Sequence, residues 1–198
     1  MVDTTLWGTI LFVSIVSMTP GPNNLLLAAS GANFGFFRTL PHMCGVIVGF
    51  AIMVVASGFG LGMILKEFPQ VILPLKILSV SFLLYLSWRI ATGGAHVVEG
   101  KSQPLTFLPA LLFQTINPKG ISFFLSIMGA QVSNAEPLLP QLIPLFILLP
   151  LFTLLSAVTW TMFGTAIGKL MQSQDAFRVF NSVMALLLLA CGIPIALG

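Results

Sequence analysis

Apolar positions run almost without interruption along this chain, and the polar ones cluster where each run should end. Six apolar segments can be drawn, at 6–30, 41–65, 71–92, 105–130, 141–167 and 177–197. Each reaches the ~20 residues a helix needs to cross a hydrocarbon core of about 30 Å. Inside lipid every backbone N–H and C=O must find a partner within the protein, which leaves helices or a closed barrel. Barrel strands alternate apolar and polar residues; these runs do not, so the pattern predicts an all-α, polytopic membrane protein of six transmembrane helices. The most polar stretch, GGAHVVEGKSQP at 93–104, falls between the third and fourth segments. It divides a single domain, 1–198, into two three-helix halves at about 1–95 and 103–198.

Composition agrees. Only 7% of the 198 residues are charged and 57% are hydrophobic, against roughly 25% charged in soluble domains. Mean hydropathy is +1.05. Eight basic and five acidic residues give a net charge of +3, with no basic run that would serve nucleic acid. The lipid bilayer is the expected partner, and the basic excess reads as a topology signal. Arg38, Arg89, Lys101, Lys169 and Arg178 fall on one side of the six-helix scheme, Lys66 and Lys76 on the other. The positive-inside rule puts the five in the cytoplasm and both termini in the periplasm of a bacterial inner membrane. The N-terminus has Asp3 and no early Lys or Arg, so the first run is expected to stay in the mature protein.

Two segments carry internal breaks. Thr19-Pro20-Gly21-Pro22-Asn23-Asn24 interrupts the first, nearer its cytoplasmic end, and Asn117-Pro118-Lys119-Gly120 interrupts the fourth. Proline lacks a donor and clashes with the preceding turn, so neither stretch continues a regular helix. Pro20 and Pro118 stand 98 residues apart, in corresponding positions of the two halves. With three helices per half, the halves are expected to be inverted repeats. Paired interrupted helices at matching positions point to a transporter's binding site. Pro20, Gly21, Pro22, Pro118 and Gly120 hold the backbone open in this reading. Thr19, Asn23, Asn24, Asn117 and Lys119 contact substrate. A half-helix starting after a break offers unpaired amides to a carboxylate, and amide oxygens can accept from an ammonium. A plainer role for Lys119 is snorkelling or pairing with a backbone carbonyl.

Other features are less specific. Arg38 and His42 read as a cytoplasmic anchor pair. Gly45-xxx-Gly49 and Gly164-xxx-Gly168 let helices approach closely, either within the bundle or across a homodimer. Gly58, Gly60 and Gly62 thin another patch of the second segment. Cys44 and Cys191 have no metal or disulfide spacing and read as small core residues. No metal site or catalytic residue is expected, because HExxH, GxSxG and an intramembrane His-Asp pair are all missing. Asp3, Glu67, Glu99, Glu136 and Asp175 all lie at segment ends or in loops. Rivals to a transporter are a membrane thiol-disulfide carrier, which needs a close cysteine pair, and a small channel or structural subunit.

Met18-Thr19-Pro20-Gly21-Pro22-Asn23-Asn24, the basic turn Gly35-Phe36-Phe37-Arg38 and Asn117-Pro118-Lys119 together resemble the LysE/RhtB family of amino-acid exporters. The likeness extends over essentially the whole chain in motif order, length and helix count. The paired asparagines resemble the branch containing the cysteine and O-acetylserine exporter. The resemblance implies efflux of amino acids or close derivatives from the cytoplasm, without a cofactor and generally driven by the proton gradient. With no mid-membrane carboxylate to meet a second cation, a neutral or small polar amino acid is the expected substrate.

Overall fold

A computed structural model describes residues 2–58, 67–98, 103–117, 119–121 and 138–197. Among these, every long element is helical: α1 (Val2–Met18), α2 (Pro22–Phe34), α3 (Phe36–Gly58), α4 (Ile72–Val98), α5 (Phe107–Ile116), α6 (Leu138–Leu170) and α7 (Gln174–Leu197). A single 3-10 turn, Pro69–Val71, leads into α4. Among the described residues four helices are long and apolar enough to cross a membrane, or five if the bent α1–α2 pair is one span. The ten residues of α5 fall short by themselves. The second half expected of that fourth segment, at 122–130, lies outside the described residues, as do Lys66, Lys101, Glu99, Glu136, Gly60, Gly62 and Pro118.

The first break is shorter than the sequence suggests. Only Thr19, Pro20 and Gly21 are non-helical; Pro22 opens α2, because a ring that fixes φ and lacks an N–H suits the first helical position. Asn23 and Asn24 therefore sit inside the first turn of α2. Ile10–Met18 and Pro22–Phe34 bend by 50°. Since α2 runs on to Phe34, the break falls near the middle of the pair rather than toward its C-terminal end. The second segment also begins earlier than expected. Gly35, at φ +79, is the whole connection, and α3 starts at Phe36 with Pro41 inside it.

At the centre lies α2. Its residues from Leu25 to Ala32 are buried, as a helix that is apolar all round must be. It packs most extensively on α6, while α3 packs on α5 and α6, and α4 on α7. Glycines set these approaches. A Cβ on Gly164 or Gly168 would run into the backbone carbonyl of Ala28 or Ala32, and one on Gly31 into that of Thr161. A Cβ on Gly45 would strike the Phe107 carbonyl, and one on Gly49 would lie 2.9 Å from that of Leu111. Both GxxxG faces are thus occupied inside the chain, the packing alternative of the two expected. Val13, Phe50, Met53, Val54, Leu145 and Leu149 form one core cluster. Leu25, Leu26, Leu83, Leu86, Phe113 and Leu188 anchor another. The outer surface is apolar in turn, with Trp7, Phe37, Trp88, Ile147 and Leu186 all exposed, as expected of a chain whose solvent is lipid.

Candidate functional site

The end of α1 leaves carbonyls with no partner in their own helix. Side chains from three other elements satisfy them. The Asn24 amide donates to the carbonyls of Ser17 and Thr19, both at 2.9 Å. Ser156 Oγ, from α6, donates to the Ser17 carbonyl at 2.7 Å. Trp160 Nε1 donates to the Met18 carbonyl at 3.2 Å. Lys119 Nζ donates to the Thr19 carbonyl at 2.9 Å and to its hydroxyl at 3.0 Å. A cation at a helix C-terminus also complements the dipole there. The two breaks, far apart in sequence, therefore meet directly, with Lys119 of one capping the helix that ends at the other.

Gly21 makes this approach available. A Cβ there would stand 2.7 Å from Lys119 Cδ and 2.9 Å from Nζ. A side chain at position 21 would push the lysine off its acceptors.

Beside this cap lies an amide cluster. Asn23 Nδ2 and Asn117 Nδ2 both donate to Gln114 Oε1. Asn117 Oδ1 accepts from the Lys119 backbone N–H at 3.2 Å, so Asn117 caps the turn that resumes at Lys119. Gln114 and Asn117 are buried, and Asn23 Oδ1 is a buried oxygen with no partner. Around these groups is a cavity that opens to the outside, its walls including Asn23, Gln114, Asn117, Lys119, Thr153 and Ser156. Among the described residues, Lys119 is the one charged group that lines it.

Of the residues expected from sequence, Gly21, Asn23, Asn24, Asn117, Lys119 and Gly120 line this cavity. Thr19 touches it through Lys119, Pro20 is exposed and Pro22 is buried in α2. Both N–H donors of Asn24 are used, and its oxygen lies 3.2 Å from the Ser156 hydroxyl, whose shorter bond is to the Ser17 carbonyl, so here Asn24 holds the break while lining the cavity. Gln114, Thr153, Ser156 and Trp160 were not foreseen. Gln114 alone carried a signal, standing one helical turn before Asn117 on the same face.

Two other expectations change. His42 is not a surface anchor but is 1% exposed, because α3 begins early enough to carry it into the bundle. Arg38 remains exposed, its guanidinium 5.6 Å from the Phe34 ring. Cys44 is exposed rather than a core residue, and Cys191 is half-buried against the second core cluster; both are free thiols. Of the acids, Glu67 is exposed and Asp175, in the first turn of α7, lies 3.3 Å from Arg178.

Comparison with known proteins identifies the family. Residues 14–198 match the LysE type translocator family. The Cysteine/O-acetylserine efflux proteins of Escherichia coli (strain K12), Escherichia coli O157:H7 and Shigella flexneri serotype 5b are relatives, each 26% identical over 185 residues, 93% of either chain. No solved structure matches. The family match spans nearly the whole length, so the chain belongs to the LysE type translocators and is a multi-pass membrane transporter rather than an enzyme.

Proposed function

We propose that this protein exports amino acids or close derivatives from the bacterial cytoplasm, favouring neutral or small polar ones, by alternating access around the cavity where the two breaks meet. The observation that carries the reading is the Lys119–Thr19 contact beside the unpartnered oxygen of Asn23. A zwitterion has groups for both. Its carboxylate takes the Lys119 ammonium, which donates to only two acceptors here and has three N–H donors. Its ammonium takes Asn23 Oδ1. Among the described residues no carboxylate lines the cavity, so a second cation on a dibasic substrate finds no counter-charge there. The relatives named for cysteine and O-acetylserine efflux fit this preference.

Helix pairing supports two inverted halves in the inner membrane with six spans. In that scheme α2 belongs to span one, α3 to span two, α5 to span four and α6 to span five. The α2–α6 and α3–α5 seams are then exchanged by the pseudo-twofold, each lined by one GxxxG pair. The α4–α7 contact maps onto itself.

The test is an export profile. Cells making the protein are loaded with mixed dipeptides, and released amino acids are quantified by mass spectrometry. Selective release of neutral or small polar amino acids is expected. No release above empty-vector cells, from protein shown to be in the membrane, would sink the exporter reading. A chain with Cys44→Ser and Cys191→Ser is expected to export like wild type, which a thiol-disulfide carrier would not do. In that cysteine-free background, Lys101→Cys should resist a membrane-impermeant maleimide added from the periplasm. Ready labelling there inverts the topology.

A further inference from the structure

On the other side of α2 lies a second cavity that the transport reading above does not use. Its walls come from α2, α3, α4, α7 and the segment before α5. Three features mark it. First, among the described residues Arg89 is the one charged group that lines it. The guanidinium donates a single hydrogen bond, to the Gln103 carbonyl at 3.2 Å, and leans on the Tyr85 ring at 5.9 Å. It has no acidic partner among the described residues, although a guanidinium carries five donors arranged to grip a carboxylate. Second, His42 lines the same cavity at 1% exposure, and neither ring nitrogen has a hydrogen-bond partner. Buried polar groups are nearly always paired, so an orphaned imidazole at a cavity wall marks a place where something polar belongs. Third, Asn33 and Asn181 exchange reciprocal amide bonds of 2.7 and 2.9 Å and fix the wall between α2 and α7.

We infer that this cavity is a second binding site for the carboxylate end of an amino acid, with Arg89 gripping the carboxylate and His42 hydrogen-bonding the amino group. It rests on the exporter reading only for the identity of the ligand. The positive-inside arrangement places Arg89 at the cytoplasmic end of α4, so the site receives substrate before the central cavity does. The two cavities share α2 as a common wall. Leu26, Ala29, Ser30 and Asn33 face this one, and Asn23, Asn24 and Leu27 face the other.

The chain contains three arginines, Arg38, Arg89 and Arg178, which makes the site directly observable. The purified, intact protein in lipid nanodiscs is treated with phenylglyoxal, and modification of each arginine is followed by peptide mass spectrometry. O-acetylserine and a panel of neutral amino acids are added as protectants, with 2-aminoethyl acetate as the matched ester lacking a carboxylate. At least one amino acid is expected to slow modification of Arg89 about threefold or more, with no effect on Arg38 or Arg178 and none from the carboxylate-free ester. In His42→Gln the protecting concentration should rise about tenfold. Equal modification rates with and without every amino acid overturn the site. Equal protection by the carboxylate-free ester overturns the role of Arg89, and an unchanged midpoint in His42→Gln overturns that of His42. Export without Arg89 protection removes this site and leaves the exporter reading standing. Protection of Arg89 in a protein that releases nothing from cells keeps the site and removes that reading.

Discussion

Cells carrying Lys119→Met are expected to export at least tenfold more slowly than wild type, at equal amounts of protein in the membrane. The lysine makes two hydrogen bonds to Thr19, and bonds to a charged group contribute about 1.5–3 kcal/mol, a factor of roughly 10 to 150. Methionine keeps the length and apolar stem and removes only the donor. Insertion should not suffer, because deleting a charge from an apolar segment favours the membrane. The loss should fall mainly on transport, since the Thr19 carbonyl still accepts from Asn24 and α1 keeps most of its cap. Gly21→Ala offers an independent route to the same defect, since its Cβ would displace the lysine rather than delete it. Export is read in the dipeptide-loading assay with membrane amounts matched by immunoblot. Wild-type rates in Lys119→Met would show that the lysine is only a helix cap.

The same chemical change, glycine to alanine, is expected to act with opposite signs at two buried positions. At Gly164 the new methyl meets the backbone carbonyl of Ala28. A carbonyl in a helix cannot rotate aside, so α2 and α6 must separate. Overpacking of this kind costs about 1–3 kcal/mol, and a whole seam moves with it. Gly164→Ala should lose its monodisperse detergent-solubilised peak many degrees below wild type, and Gly164→Leu should not accumulate. At Gly192 the methyl would stand 3.9 Å from Leu83 Cδ1, an ordinary contact. There the alanine should stabilise by roughly 0.4–1 kcal/mol, because it restricts the unfolded chain without a clash. Similar heat resistance in Gly164→Ala and Gly192→Ala would contradict the packing described.

Much of this was legible in the sequence, because proline and glycine act locally. Pro20, Gly21 and Pro22 stop a helix wherever they stand, so the first break was readable without knowing its neighbours. Its length was not. Pro22 both ends one helix and opens the next, and only the latter role puts Asn23 and Asn24 into a helical turn. The apolar run that begins at 41 does not mark the helix start, because α3 already passes through Pro41 and Gly35 alone at positive φ turns the chain. In the site, Asn23, Asn117 and Lys119 were legible because they neighbour the breaks. Ser156, Thr153 and Trp160 were not, because one polar residue in a long apolar helix gives no hint of which carbonyl it will meet. His42 was misjudged for the same reason: its distance from Arg38 suggested a shared surface, but the face it occupies is set by packing against other helices.

The glycine contacts also decide what is able to move. Where Gly164 and Gly168 lie on the carbonyls of Ala28 and Ala32, and Gly45 and Gly49 on those of Phe107 and Leu111, backbones touch without side chains between them. Neither seam can slide by a fraction of a turn without collision. Each pair, α2 with α6 and α3 with α5, therefore behaves as one stiff plank. Between the planks α3 and α6 pack through apolar side chains, Phe50 and Met53 with Leu145 and Leu149, and at the breaks the joint is made of amides, Asn23 to Gln114, and of the lysine on Thr19. Such bonds can be traded for equivalent ones to a guest molecule, so under the proposed transport the breaks are where the joint loosens while the glycine seams stay rigid.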